Sequence, residues 1–137
     1  MEVPVFTDEN RRKAKEVIDG YDQVMRWAKK HRVKLGFGTD AASTMVDTVL
    51  LELEARSPHF TPYEMLVQAT SNNGTLFAMA RTRNPYREAP LGVIEVGAWA
   101  DLLLYDGNPL DDIDIVIDHR NTLDLIMKDG KIYKNDL

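Results

Sequence analysis

At 137 residues, with 44% hydrophobic and 28% charged side chains, the chain has the make-up of one globular domain or a large piece of one. Its net charge of -5 argues against the clustered Lys and Arg of a nucleic-acid or anionic-membrane surface. Zero cysteines exclude disulfides, thiolate zinc sites and Cys nucleophiles, and no apolar run approaches the roughly 18 residues that span a bilayer.

The N-terminal residues lack the charged and apolar zones of a signal peptide, so the expectation is a cytoplasmic protein. Thr7-Asp8-Glu9-Asn10 then reads as a helix start, a hydroxyl cap followed by acids in the first turn. Ala14, Val17, Ile18, Tyr21, Met25 and Ala28 continue at three- and four-residue spacing, which predicts a helix over 8–31. Gly20 weakens it locally. The basic cluster Lys29-Lys30-His31-Arg32 falls at its end, where the helix dipole favours cations. Val33-Lys34-Leu35-Gly36-Phe37 follows as a strand, and a lone carboxylate, Asp40, stands at its exit. Strand ends are where α/β proteins commonly place catalytic groups.

A second helix is expected over 44–55, with Val46, Val49, Leu50 and Leu53 on one face and Glu52 and Glu54 on a solvated one. Ser57-Pro58-His59-Phe60 breaks it. Thr61-Pro62-Tyr63-Glu64 starts a third, with a cap, a proline at the first helical position and the glutamate of a capping box. Asn72-Asn73-Gly74 reads as an interruption of that helix. A polar connector over 81–90 leads to four expected strands, at 93–96, 100–105, 114–117 and 123–128. Asp129-Gly130 between apolar runs predicts a two-residue hairpin.

Most titratable residues have bland readings. His59 reads as a solvated loop residue, His31 as a helix-end cation and His119 as surface. Asp111, Asp112 and Asp114 form an acidic run without the glycine and closing glutamate of an EF-hand loop. Trp27 and Trp99 read as packing residues, and Ser43 has no histidine at a spacing that would make it a nucleophile.

Four segments in order carry a resemblance. They are Gly36-Phe37-Gly38-Thr39-Asp40, Thr61 through Asn72, Leu91 through Leu102, and Asp106-Gly107-Asn108-Pro109-Leu110 with the hairpin after it. Together they resemble the C-terminal end of a metal-dependent amidohydrolase, with the flavour of the imidazolonepropionase-like and Xaa-Pro-dipeptidase-like branch. The resemblance implies an α/β fold, the C-terminal fragment of a (β/α)8 TIM barrel plus the C-terminal half of a small β-sandwich. Residues 1–90 would be the barrel segment and 91–137 the sandwich strands. Residues 8–31 would be the seventh barrel helix, 33–38 the eighth strand and 44–80 the closing helices. Asp101 matches a structural position in the sandwich.

The resemblance also makes Asp40 the catalytic acid, a ligand of a divalent metal, usually zinc, that takes a proton from the attacking water. Hydrolysis of a C–N bond in a cyclic amide, amidine or dipeptide is the implied reaction. The family's His-x-His, its bridging lysine and its other metal-binding histidines have no counterpart here. A catalytic zinc typically takes three protein ligands, and only Asp40 is at hand. The expectation is therefore a chain that binds no metal alone, and is inactive unless a complementing N-terminal chain or a homo-oligomer supplies the rest. The alternative is a non-catalytic domain that self-associates through open strand edges.

Overall fold

A computed structural model describes residues 7–39 and 48–137. The chain divides into two compact units, Met1–Val33 and Lys34–Leu137. Among the described residues no helix is long and apolar enough to cross a membrane.

The first unit is built on α1 (Asp8–Lys30). Thr7 begins it as expected, its Oγ1 accepting the Asn10 amide at 3.2 Å. Asp8 and Glu9 occupy the first turn and Lys29 and Lys30 the last, which suits the dipole at both ends. The pairs Glu9–Lys13, Arg12–Glu16 and Lys15–Asp19 lace its solvent side at the four-residue spacing. Exposed pairs of this kind add about 0.3–0.5 kcal/mol each. Val17 and Ile18, from the apolar stripe read in the sequence, remain 70% and 72% exposed.

In the second unit, α2 (Thr48–Arg56) precedes a continuous helical stretch of three parts. These are α3 (Pro62–Val67), a π-helical turn (Gln68–Asn72) and α4 (Asn73–Met79). The capping box forms as the sequence predicts. Thr61 Oγ1 accepts the Glu64 amide at 3.2 Å, and Glu64 Oε2 accepts the Thr61 amide at 2.8 Å. Asn72-Asn73-Gly74 does not break the helix. The chain instead widens by one residue into the π-turn and carries on.

The strands β1 (Leu102–Tyr105), β2 (Leu123–Lys128) and β3 (Lys131–Asn135) form one antiparallel sheet in the order β1-β2-β3. Asp129 and Gly130 have φ of 49° and 71°, the two left-handed residues of a type I′ turn, so the hairpin closes as expected. Asp101 fastens it. Its Oδ1 accepts the Asp129 amide at 2.7 Å and its Oδ2 the Lys128 ammonium at 2.9 Å. The structural role read for Asp101 is thus visible as a turn clasp. Trp99 packs as expected, in a row of edge-to-face rings. Phe77 and Tyr86 lie 5.8 Å apart and Tyr86 and Trp99 6.3 Å, which joins α4, the connector and the sheet. The core of this unit is Leu53, Phe60, Met65, Ile113 and Leu123.

Three expected strands are not strands. Residues 34–39 join no ladder. Residues 93–96 turn, bracketed by Gly92 and Gly97 with φ of 71° and 91°, and Ile94 and Val96 are fully exposed. Residues 114–117 form a short helix, α5 (Asp114–Ile117), followed by α6 (His119–Thr122). The Asp112 carboxylate accepts the Asp114 amide at 2.9 Å and starts a helical turn, a local bond that a run of β-branched residues does not announce.

Two glycines give opposite expectations. At Gly20 a side chain has open space inside a regular helix, so Gly20→Ala should raise stability by about 1 kcal/mol in thermal unfolding. At Gly36 a Cβ would strike the Leu76 side chain and lie 2.7 Å from Asn73 Oδ1, so Gly36→Ala should lower it. Equal midpoints for the two variants would contradict this packing.

The hairpin carries a pH dependence. The Asp129 amide and then the Lys128 ammonium hold the Asp101 carboxyl below its ordinary value. A lowered carboxyl stabilises the folded form above the unfolded value, and that contribution disappears as pH falls through the folded one. Amide exchange at Asp129 should therefore accelerate only on acidification below the usual aspartate range. Asp101→Asn should abolish that acid step, and a step surviving in the variant would assign it elsewhere.

Candidate functional site

Asp40, the site residue singled out by the sequence, lies outside the described residues, as does Ser43. What the structure describes is the segment that leads to it, residues 34–39, and how that segment is held. With no ladder, its backbone groups still need partners where they are removed from water. Helical side chains supply them.

Asn73, at the start of α4, addresses Phe37 twice. Its Oδ1 accepts the Phe37 amide at 2.9 Å, and its Nδ2 donates to the Phe37 carbonyl at 2.9 Å. Those are the two groups that a residue in an antiparallel ladder exchanges with the residue opposite. Asn72, one position earlier, donates from Nδ2 to the Leu35 carbonyl at 2.8 Å. Both side chains flank the junction of the π-turn and α4. The extra residue in that turn is what the sequence reading took for a break.

Arg56, the last residue of α2, holds the segment between those two contacts. Its Nη1 donates to the Gly36 carbonyl at 2.9 Å and also to Gln68 Oε1, and its Nε pairs with Glu52 Oε1 at 2.6 Å. The guanidinium also lies over the Phe37 ring, 5.1 Å from its centroid. The Arg56 side chain is 7% exposed and that of Glu52 17%. The solvated face expected for Glu52 is therefore corrected. It is the counter-ion of a buried cation, which could not be sustained in the core unpaired. Glu54 does remain exposed.

The other candidates stay apart. His31 is the C-cap of α1. His59 is half-buried with its ring edge-on to Phe60. His119 is half-buried, with Nδ1 3.2 Å from the Ile117 carbonyl. In the acidic run, Asp111 accepts from Asn108 Nδ2 at 2.7 Å and Asp112 from the Asp114 amide, so these carboxylates shape local turns. Among the described residues no group of three His, Asp or Glu side chains is placed to hold a metal ion. The described part of the chain does not by itself fit a catalytic zinc.

Sequence reasoning did not find Arg56, Gln68 or the two asparagines as a cluster. The one available signal was the Glu52–Arg56 spacing, an i,i+4 pair on a helix.

No family model matches the chain, and no curated protein matches it. Solved structures do. The chain is similar to an amidohydrolase, at 30% identity and a TM-score of 0.71, over 84% of this chain and 26% of that one. It is similar to a second protein solved both as an uncharacterised protein and as a prolidase complexed with N-methylphosphonate-L-proline. There the identity is 29% and the TM-score 0.78, over 94% of this chain and 30% of the other. The chain thus spans less than a third of the length of these neighbours. The likeness supports a relationship to the amidohydrolase superfamily, and with it to hydrolases.

Replacing Arg56 with Met keeps bulk but leaves Glu52 largely buried without its cation. That should cost about 3 kcal/mol in denaturant unfolding. Arg56→Lys should recover only part of the loss, because an ammonium lacks the planar fork that reaches several acceptors at once. An Arg56→Met variant as stable as the parent would remove Arg56 as the anchor of residues 34–39.

Proposed function

We propose that the chain is the C-terminal portion of a metal-dependent amidohydrolase that hydrolyses C–N bonds with metal-activated water. In this reading residues 1–90 belong to the closing part of a (β/α)8 barrel and 91–137 to a β-sandwich. Asp40 is the metal-binding and catalytic acid, zinc is the metal, and the enzyme is cytoplasmic. The observation that carries the reading is the likeness to a prolidase with bound N-methylphosphonate-L-proline, over 94% of this chain. It favours a dipeptide with a C-terminal proline over a cyclic amide or amidine as substrate.

The described residues lack a three-ligand metal group, so activity requires a complementing N-terminal chain or another copy to supply the remaining ligands. A second reading, a non-catalytic module that self-associates, has its own support. On the edge strand β1, Leu103 and Leu104 are 57% and 47% exposed, a surface that invites another strand.

The test mixes the chain with a polypeptide supplying the part of the prolidase neighbour that this chain does not cover. The expected result is a complex that retains zinc and cleaves an Xaa-Pro dipeptide. Asp40→Asn in the same complex should lose both, and the isolated chain should show neither. A mixture without zinc or hydrolysis, in which this chain sediments as a uniform oligomer, would leave the non-catalytic reading.

A further inference from the structure

We propose that Asn73 is a positioning residue for the acid at position 40, acting as a one-residue substitute for a neighbouring strand. The inference rests on the reading of Asp40 given above and adds to it the device that aims the carboxylate.

The chain passes from Phe37 through Gly38 and Thr39 to Asp40. Two of those intervening or preceding positions, Gly36 and Gly38, have no side chain to fix their backbone, and residues 34–39 have no ladder to do so. The last backbone position before Asp40 that the named side chains grip is Phe37, and Asn73 grips it through both its amide and its carbonyl. A single hydrogen bond allows the peptide to pivot about it. Two bonds from one planar amide to the N–H and C=O of one residue fix its orientation as well as its distance.

The amide itself is held. Asn73 Nδ2 also approaches the Ala69 carbonyl at 3.4 Å, one turn back along the helical stretch, and Asn73 Oδ1 sits close over Gly36. The π-turn is part of the device. Such turns disturb the regular helical bonding and recur at functional sites. Here it lies directly before Asn73, and the two asparagines at its end reach Leu35 and Phe37, which point their backbone groups the same way in an extended chain. Arg56 holds the intervening Gly36 carbonyl and keeps the segment against the helices. The consequence is that the aim of residue 40 depends on a side chain 33 positions later, without that side chain touching any reacting atom.

The absence of cysteine allows a direct test by paired spin labels. One pair, Asp40→Cys with Lys131→Cys, reads the position of residue 40 against the sheet. A control pair, Glu54→Cys with Lys131→Cys, reads the fold of the second unit. With Asn73 present, the first pair should give one narrow distance distribution. Asn73→Leu should broaden it at least twofold while leaving the control pair unchanged. Asn73→Asp keeps an acceptor for the Phe37 amide and loses the donor, so it should lie between the two, and it decides the matter should the leucine variant not fold.

A distribution at position 40 unaffected by either variant would overturn the proposal. So would equal broadening in both pairs, since Asn73 would then be a general stabiliser. The labels need no metal. Zinc retention in the complemented complex tests Asp40 as a ligand, so failure of that reading and failure of this one are told apart.

Discussion

The buried guanidinium of Arg56 is the constraint on which the second unit depends. A charge taken out of water costs several kcal/mol unless a counter-ion and hydrogen bonds replace the lost solvation. Arg56 meets that condition only when three separate pieces of chain converge. Glu52 comes from its own helix, Gln68 from the π-turn and the Gly36 carbonyl from the segment before position 40. None of these partners is useful alone, since removal of any one leaves a buried donor or carboxylate unsatisfied. The requirement is therefore a geometric specification: α2, the 62–79 helix and residues 34–39 must meet at one point. Apolar burial of Leu53, Phe60 and Met65 supplies the drive for them to meet. It does not say in which register, and the polar cluster does.

What was legible in the sequence was local. Thr7, the Thr61–Glu64 box and the Asp129-Gly130 turn each bind their own neighbours within about three residues, and each sits where local chemistry put it. What was misread had a distant cause. Asn72 and Asn73 have poor helix propensity and Gly74 worse, so local reasoning sees a break. Their amides are satisfied by Leu35 and Phe37, 36 to 37 residues earlier, and that compensation is invisible to any window along the chain. Glu52 was placed on a wet face for the same reason. The strand pattern at 114–117 failed differently, because four β-branched or acidic residues fit either period and the Asp112 carboxylate tips the balance toward a turn.

The site was legible only to the extent that the sequence places Asp40 after an apolar run ended by glycine. That placement sits outside the described residues, while the apparatus before it is described in full. A reader of the sequence sees the acid and not its support. A reader of the structure sees the support, three polar side chains converging on residues 35–37, whose purpose is not explained by packing alone. Satisfying the backbone of a short exposed segment does not require a buried arginine. A segment whose end must point one way gives such an arrangement a reason.

Side-chain tethers and a strand ladder differ in what they can hold. A ladder adds bonds cooperatively along its length, and a neighbour that slips by one residue still finds partners. Asn73 has one amide, and a shift of the segment by one residue would set it against Gly36 or Gly38, where the backbone groups of an extended chain face the opposite edge. The tether therefore rejects every register but one. Its weakness is the counterpart of that selectivity, since a handful of side-chain bonds at about 1 kcal/mol net each cannot by themselves keep a strand-like segment in place. The collision that any Cβ at position 36 would make with Leu76 shows how the segment is kept. It is pressed onto the helix by close packing, and the asparagine and arginine then choose where along the helix it rests.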